Sequence, residues 1–340
     1  MMKIINIIDD YSLTSIPVQQ SKVLDQNINI SLKTIYLKKT CKDSKAHSEK
    51  ISVVRLIKYL KNDCTILSHH TKTSVILLIL SYVLKFNWIH FVHNDLTIQK
   101  NWKRLILKFV ANKCNKIICN SKTTKNNLIN TIHIINKAKI FHNYNGVDLE
   151  AIDKIVVKKK YNKFTLLFVG RLVREKSLET LIDALYLLKI NNNYNRIPFS
   201  IKIVGDGPYK NKLILKINQL KLDSEIKFLG LKNRNLVYKI MKKSHCLVSP
   251  SSNEGFCNVN IEAIACGLKV IASDIKVFHE IGKDHFNFFT KGDAKDLAEK
   301  IFITYSSYIQ NEYWHNKDYH FIKNFSLHNS VKRIIKVIRT

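Results

Sequence analysis

Glu254-Gly-Phe-Cys-Asn-Val-Asn-Ile-Glu262 sets two carboxylates eight positions apart across a glycine turn that opens a helix. Asn258 is the expected N-cap, and the apolar Val259, Ile261, Ile264 and Leu268 predict a helix that starts near it and buries one face. Glu262 then falls in the first turn. Amides without intrahelical acceptors at such a helix start attract a diphosphate, while carboxylates on either side can accept hydrogen bonds from ribose and sugar hydroxyls. Two glutamates alone would read as an acidic surface turn ahead of a core helix; the flanking sequence is what gives them chemistry.

Upstream, the strand-like run Phe164-Thr-Leu-Leu-Phe-Val-Gly170 leads into Arg171-Leu-Val-Arg-Glu-Lys176. Ser177 is the expected N-cap of a helix carrying Leu178, Leu181, Ile182, Leu185 and Leu188 at helical spacing. A second strand, 199–204, runs into Gly205-Asp-Gly-Pro208, a third, 226–229, ends at Gly230, and further strands are expected at 246–250 and 269–273. In an open parallel sheet the ligand lies beyond the carboxyl ends of the strands, where glycine lets backbone approach a phosphate closely. Gly170, Gly205 and Gly207 fall there, and Arg171 and Lys176 place positive charge at that edge. In the first half, strands at 3–8, 30–37, 64–68, 88–92, 116–119 and 138–141 alternate with helical stretches, which is again a β/α pattern.

On these residues the chain resembles the retaining glycosyltransferases of the GT4 family. The matching motifs are Gly170-Arg171 with Lys176, Gly205-Asp-Gly-Pro208, Pro250-Ser251 before Glu254-Gly-Phe256, and Glu262-Ala-Ile-Ala-Cys-Gly267. His93 in Phe91-Val-His-Asn94, Asn120-Ser121 and Asn145-Gly-Val-Asp148 are similar to family signatures of the first half. The resemblance implies an α/β chain of the GT-B class, two facing Rossmann-like domains with the donor site in the cleft between them. Residues 1–150 would form the acceptor-side domain, residues 151–325 the nucleotide-sugar domain, and residues 326–340 a basic amphipathic helix that packs back on the first. It also implies that Arg171 and Lys176 hold the donor diphosphate, that Glu254 and the amides of Gly255, Phe256, Cys257, Asn258 and Val259 contact the sugar, that Glu262 holds the ribose, and that His93 lies near the transferred sugar. Glu254, His93, Arg171 and Lys176 are thus the expected catalytic residues.

All nine glycines lie at Gly146 or later. Family members usually carry a glycine-rich loop after the first strand, yet here that region reads Asp9-Asp-Tyr-Ser-Leu-Thr-Ser-Ile-Pro17, so a phosphate contact is either absent or made by Ser12, Thr14 or Ser15. Donor binding should then rest on the second domain. His69 and His70 end a strand and read as structural hydrogen-bonding groups. No Asp-x-Asp motif is present to hold a divalent ion, so no metal or cofactor is expected, and Arg171 and Lys176 would stabilise the leaving group in its place.

The chain carries 56 Lys and Arg against 26 Asp and Glu, a net charge of +30. Its first 150 residues have 23 Lys and Arg against 9 Asp and Glu, an excess of +14, so both halves are basic. Such a charge calls for an anionic partner. No zinc-finger spacing, RNP signature or basic region joined to heptads is present, so nucleic acid is not the expected partner; an anionic membrane surface is. The apolar run at 74–84 stops at Lys85 and is too short to cross a bilayer, which takes roughly 20 residues. It reads as a buried or partly membrane-facing helix. The first strand begins at once, without a secretory leader, and seven cysteines without CxxC pairs suggest reduced thiols in a cytoplasmic protein bound peripherally to the membrane.

The function expected from the resemblance is transfer of a sugar, with retention, from a nucleotide sugar, UDP-linked by preference, to a lipid-linked acceptor of lipopolysaccharide, O antigen or capsule. No double-displacement nucleophile is identifiable, and the resemblance implies a front-face route. Two alternatives stay open, a sugar-nucleotide epimerase on the same fold, and a non-catalytic membrane- or nucleic-acid-binding protein that keeps it.

Overall fold

The computed structural model describes residues 2–11, 16–25, 30–39, 48–50, 53–60, 64–93, 100–132, 136–191, 197–310 and 318–340. The chain divides into two compact units, one formed by Met1–Gly146 with Phe325–Thr340 and the other by Val147–Asn324.

The first unit contains β1 (Met2–Tyr11), β2 (Ile30–Lys39), β3 (Ser48–Lys50), β4 (Thr65–Ser68), β5 (Asn87–Val92), β6 (Lys116–Cys119) and β7 (Ile140–His142). They form one sheet in the order β3-β2-β1-β4-β5-β6-β7, every neighbouring pair parallel. Its helices are α1 (Ile16–Asp25), α2 (Val53–Leu60), α3 (Thr71–Leu80), α4 (Asn101–Lys113) and α5 (Lys122–Thr131). Parallel strands covered on both faces carry near-continuous apolar runs, because each face needs its own hydrophobic layer. Ile5 and Ile7 of β1 share a core with Ile66, Trp88 and Ile117, whereas the intervening register puts Ile4 with Leu67, Ile89 and Ile118.

The second unit contains β8 (Phe164–Val169), β9 (Phe199–Val204), β10 (Ile226–Gly230), β11 (Cys246–Ser249), β12 (Lys269–Ser273) and β13 (Phe286–Phe289), again all parallel, in the order β10-β9-β8-β11-β12-β13. Its helices are α6 (Leu149–Asp153), α7 (Leu178–Ile190), α8 (Lys210–Gln219), α9 (Arg234–Lys243), α10 (Asn258–Ala265), α11 (Lys276–Gly282), α12 (Ala294–Ile309) and α13 (Tyr319–Lys323). The last helix, α14 (Leu327–Arg339), belongs to the first unit. Its Val331, Ile334, Ile335 and Ile338 join the core that holds Ile4 and Leu67, Arg333 donates to Asn143 at 2.8 Å, and Lys116 reaches the Val337 carbonyl at 2.8 Å. Gly146 has no room for a side chain there, since a Cβ would lie 2.5 Å from the Leu327 Cα.

In both units the strand order reverses beside the first strand, between β1 and β4 and between β8 and β11. Such switch points open a crevice at the strands' carboxyl ends, and that is where the candidate residues fall. Two strands escape the sequence pattern. β3 is a three-residue polar edge, and β13 reads Phe-Asn-Phe-Phe, with no sustained alternation to mark it. Of two expected caps, one holds by position and one is corrected. Ser177 takes the N-cap position of α7, but it is left-handed (φ 47°), closes a 3-10 turn over Arg174–Lys176 and makes no side-chain cap bond. Cys257, also left-handed at φ 70°, takes the N-cap position of α10, so Asn258 is its first helical residue; the chain turns one residue earlier than an asparagine cap would require.

Candidate functional site

In the second unit, the switch point brings together the loop after β8 and the loop after β11. Ser252 N donates to the Glu175 carbonyl at 2.9 Å, and Lys176 pairs with Glu254 through Nζ and Oε1. Ser251 Oγ donates to the same Glu254 oxygen at 2.9 Å. Burial opposes the Lys176 charge, but the Glu254 carboxylate paired with it holds its pKa above the usual lysine range. Cys257 is itself a neutral thiol, pushed up to about 12 by burial and by Glu254. Arg171 is exposed at the head of the first loop. The glycines have a specific packing reason. Gly170 N donates to Val204 O and Leu172 N to Asp206 O, both at 3.0 Å, so the loops after β8 and β9 run backbone against backbone. A Cβ on Gly205, whose φ is +135°, would sit 1.8 Å from the Gly170 carbonyl oxygen, and one on Gly207 would sit 2.4 Å from that of Leu172. These glycines let two loops meet, a requirement that exists before any phosphate arrives.

Across the same edge α10 starts at Asn258, after the buried Gly255 and Phe256. In its first turn Asn260 N donates to the Cys257 carbonyl at 3.2 Å; Val259 is half-buried beside it. Glu262 lies in its second turn and is almost fully buried. Its charge is met by Arg234 from the start of α9, whose Nε donates to the Tyr238 hydroxyl at 2.6 Å. Burial would lower the Arg234 pKa, but Glu262 raises it, so the guanidinium is permanently charged. Arg234 and Tyr238 were not legible in the sequence as site residues. Arg234 lies 28 positions from Glu262, in a lysine-rich stretch that offers no motif.

In the first unit, β4 and β5 end side by side and deliver His69 and His93. The two rings stack at 5.3 Å, with Phe91 4.4 Å from His69. They line a cavity of about 280 Å³ together with His70, His90, Lys103 and Asn145. Burial holds His90 down to about 4 and His93 to about 3, with His70 adding to both, so these imidazoles are neutral. The other first-half signatures hold the chain in place. Asn120 Nδ2 donates to the His93 carbonyl at 2.7 Å, Ser121 caps α5, and Asp148 caps α6. Ser12, Thr14 and Ser15, the expected substitutes for a glycine-rich loop, lie outside the described residues, as does Asn94. Among the described residues no group of three or more His, Cys, Asp or Glu is arranged to hold a metal ion, and the six described cysteines form no disulfide.

A family model for glycosyl transferases group 1 matches residues 150–321, and one for glycosyltransferase family 4 matches residues 32–151. The chain is 30% identical over 291 residues to an Escherichia coli UDP-Gal:alpha-D-GlcNAc-diphosphoundecaprenol alpha-1,3-galactosyltransferase, covering 80% of this chain and 74% of that one. It is 31% identical over 210 residues to the Campylobacter jejuni N-acetylgalactosamine-N,N'-diacetylbacillosaminyl-diphospho-undecaprenol 4-alpha-N-acetylgalactosaminyltransferase, covering 58% of this chain and 53% of that protein. With this and other curated relatives, the chain spans about half of their length. Among solved structures, Anabaena HepE in complex with UDP-glucose superimposes with a TM-score of 0.82 at 18% identity, covering 100% of both chains. The shared fold is GT-B.

Proposed function

The chain belongs to the glycosyl transferases group 1 family, and on that premise we propose that it transfers a sugar from a UDP-sugar to a lipid-linked glycan, with retention and without a metal ion. The observation that carries this reading is the pair of acid–base contacts at the second switch point, Lys176 with Glu254 and Arg234 with Glu262. A donor diphosphate entering there meets Lys176 and Arg171. As Lys176 turns to the phosphates, Glu254 is released to accept hydroxyls of the sugar. Glu262, fixed on one side by Arg234, keeps its second oxygen for the ribose. Acceptor recognition falls to the first unit, where neutral histidines line the cavity.

In the reaction the bond from the anomeric carbon to the diphosphate oxygen breaks and the bond to the acceptor oxygen forms on the same face. The acceptor's proton passes to the departing diphosphate oxygen, whose growing charge Arg171 and Lys176 stabilise. The lipid-linked acceptor draws support from the diphospho-undecaprenol named for two relatives and from an apolar, basic surface on α3 and α4, which fits an anionic membrane. Among the described residues no helix is long and apolar enough to span one.

The test is a thermal-shift screen of nucleotide sugars, followed by product analysis with the stabilising donor and a polyprenyl-diphosphate-linked sugar. Glu262→Ala is expected to raise KM for the donor, because a ribose contact exists in ground and transition states alike. Glu254→Ala should chiefly lower kcat. An inverted anomer, an epimerised donor, or activity abolished by EDTA and restored by Mg²⁺ would each overturn the corresponding part.

A further inference from the structure

A chain of hydrogen bonds runs from β1 to the cavity of the first unit and fixes where its protons are. Asn6 Nδ2 donates to Ser21 Oγ and lies 3.4 Å from the Pro17 carbonyl, while Ser21 Oγ spends its own proton on that carbonyl at 2.7 Å. With the nitrogen of the amide so engaged, the oxygen is the atom that faces His69, 2.7 Å from Nε2. An amide oxygen can only accept, so His69 carries its proton on Nε2. A neutral imidazole has one proton, which leaves His69 Nδ1 as an acceptor. His93 Nε2 lies 3.0 Å from it and must donate. Neutral His93 is left with a bare Nδ1, and among the described residues that atom has no hydrogen-bond partner.

We propose that Asn6 and His69 are positioning residues that lock His93 in its Nε2-protonated tautomer, so that the first unit offers His93 Nδ1 as an acceptor for one hydroxyl of a sugar substrate. The inference rests on the reading that the chain binds sugars. The ionisable groups around the pair favour its neutral form, since His70, His90 and Lys103 line the same cavity and, among the described residues, no carboxylate does. Burial and the neighbouring histidines depress both imidazoles. A neutral acceptor held in this way rejects a substrate lacking the hydroxyl, because the nitrogen would then be left unpaired.

Two measurements test this. Imidazole ¹⁵N spectra of histidine-labelled protein, assigned with His69→Phe and His93→Gln, should show both residues neutral and protonated at Nε2 from pH 7 to pH 5. A protonated Nδ1 on His93, or an imidazolium at pH 7, overturns the proposal, and this readout needs no activity. Monodeoxy analogues of the donor sugar and of the acceptor sugar form the second. In the wild type one analogue should lose roughly tenfold or more in kcat/KM, the series containing it showing whether the hydroxyl belongs to donor or acceptor. His69→Phe keeps a ring against Phe91 but removes the acceptor for His93 Nε2–H, and it should erase that selectivity. A uniform loss across all substrates would mean that His69 acts only in folding and sink the idea. If no sugar is transferred at all, the proposed function falls, while the ¹⁵N spectra still decide the tautomer.

Discussion

The strand order of the second unit recurs in the first, which adds β7 at one edge, and the two differ in how their switch points are charged. The second sets acids against bases, Lys176 with Glu254 and Arg234 with Glu262, on loops whose glycines allow backbone-to-backbone packing. The first has no glycine before Gly146 and ends its central strands in histidines held neutral by burial. On the proposed function, the second unit would trade an internal ion pair for an anionic ligand, and the first would offer uncharged hydrogen-bonding atoms to hydroxyls. The same topology would thus serve two kinds of recognition, set by the residues on the loops and helix starts beyond the strands' carboxyl ends.

The comparison breaks most sharply at the ion pairs. Arg171→Ala or Lys176→Ala should lower the transfer rate by roughly 100-fold or more, the scale for removing a preorganised charge-stabilising group, while His93→Gln costs less because no full charge is lost. Steady-state kinetics on the three variants decides this, and an equal or larger loss at His93 would remove the proposed division of labour. Arg234→Met leaves the carboxylate of Glu262 buried without its cation, and about 2 kcal/mol of stability should go with it. Urea denaturation checks that figure. Adding Glu262→Gln should restore most of the loss, since the stranded charge is then gone.

The second unit was the more legible of the two because its chemistry is local. Gly170-Arg171, Lys176 and Glu254 to Glu262 sit in short segments next to strands with strong apolar runs, and strands 199–204 and 269–273 match β9 and β12 residue for residue. What the sequence hid is contact across distance. Arg234 meets Glu262 from another helix, and Asn6 meets His69 across 63 positions. His69 read as a structural group because a strand-end histidine carries no signal of its neighbour, and only the pairing of β4 with β5 sets it beside His93. The cap of α10 falls at Cys257 rather than Asn258, and Ser177 caps α7 by position but not with its side chain; both Ser177 and Cys257 are left-handed, which residue preference does not report.

The neutral histidines also make the first unit acid-sensitive. In the unfolded chain a histidine takes up its proton near pH 6.5, whereas folded His90 resists until about 4. The unfolded state therefore binds more protons at this residue between these values, so the His90 contribution to stability is constant above pH 6.5 and falls as the pH drops through that window. By pH 5 the loss attributable to His90 is on the order of 2 kcal/mol. Thermal melts of wild type and His90→Asn at pH 7.5 and 5.0 measure it. The variant should lose less Tm on acidification, and parallel losses would show that His90 does not cause the sensitivity.

The smallest expected effect concerns where the protein docks. Both halves are basic, so charge alone would draw either toward anionic lipid. The apolar surface separates them, because on α3 and the turn after it Ile79, Tyr82 and Val83 are 64%, 68% and 84% exposed, and Trp102, Leu105 and Phe109 on α4 are 53%, 56% and 50% exposed. Lys113 lies 4.5 Å over the Tyr82 ring, which joins the two elements, and Lys85, Lys103 and Lys108 flank them. In the second unit the exposed apolar residues include Ile190 on α7, Leu215 on α8, and Ile303 and Ile309 on α12. Lipid insertion should therefore depend on the first set. Val83→Ser or Phe109→Ser is expected to weaken co-sedimentation with anionic vesicles by roughly fivefold, about 1 kcal/mol for one apolar side chain withdrawn from the interface, while Ile190→Ser and Leu215→Ser leave it unchanged. Added salt should release the wild type further, as screening weakens the attraction of its lysines to the lipid headgroups. Equal losses from both units would reduce docking to net charge, and undiminished binding in the Val83 and Phe109 variants would move the membrane contact away from α3 and α4.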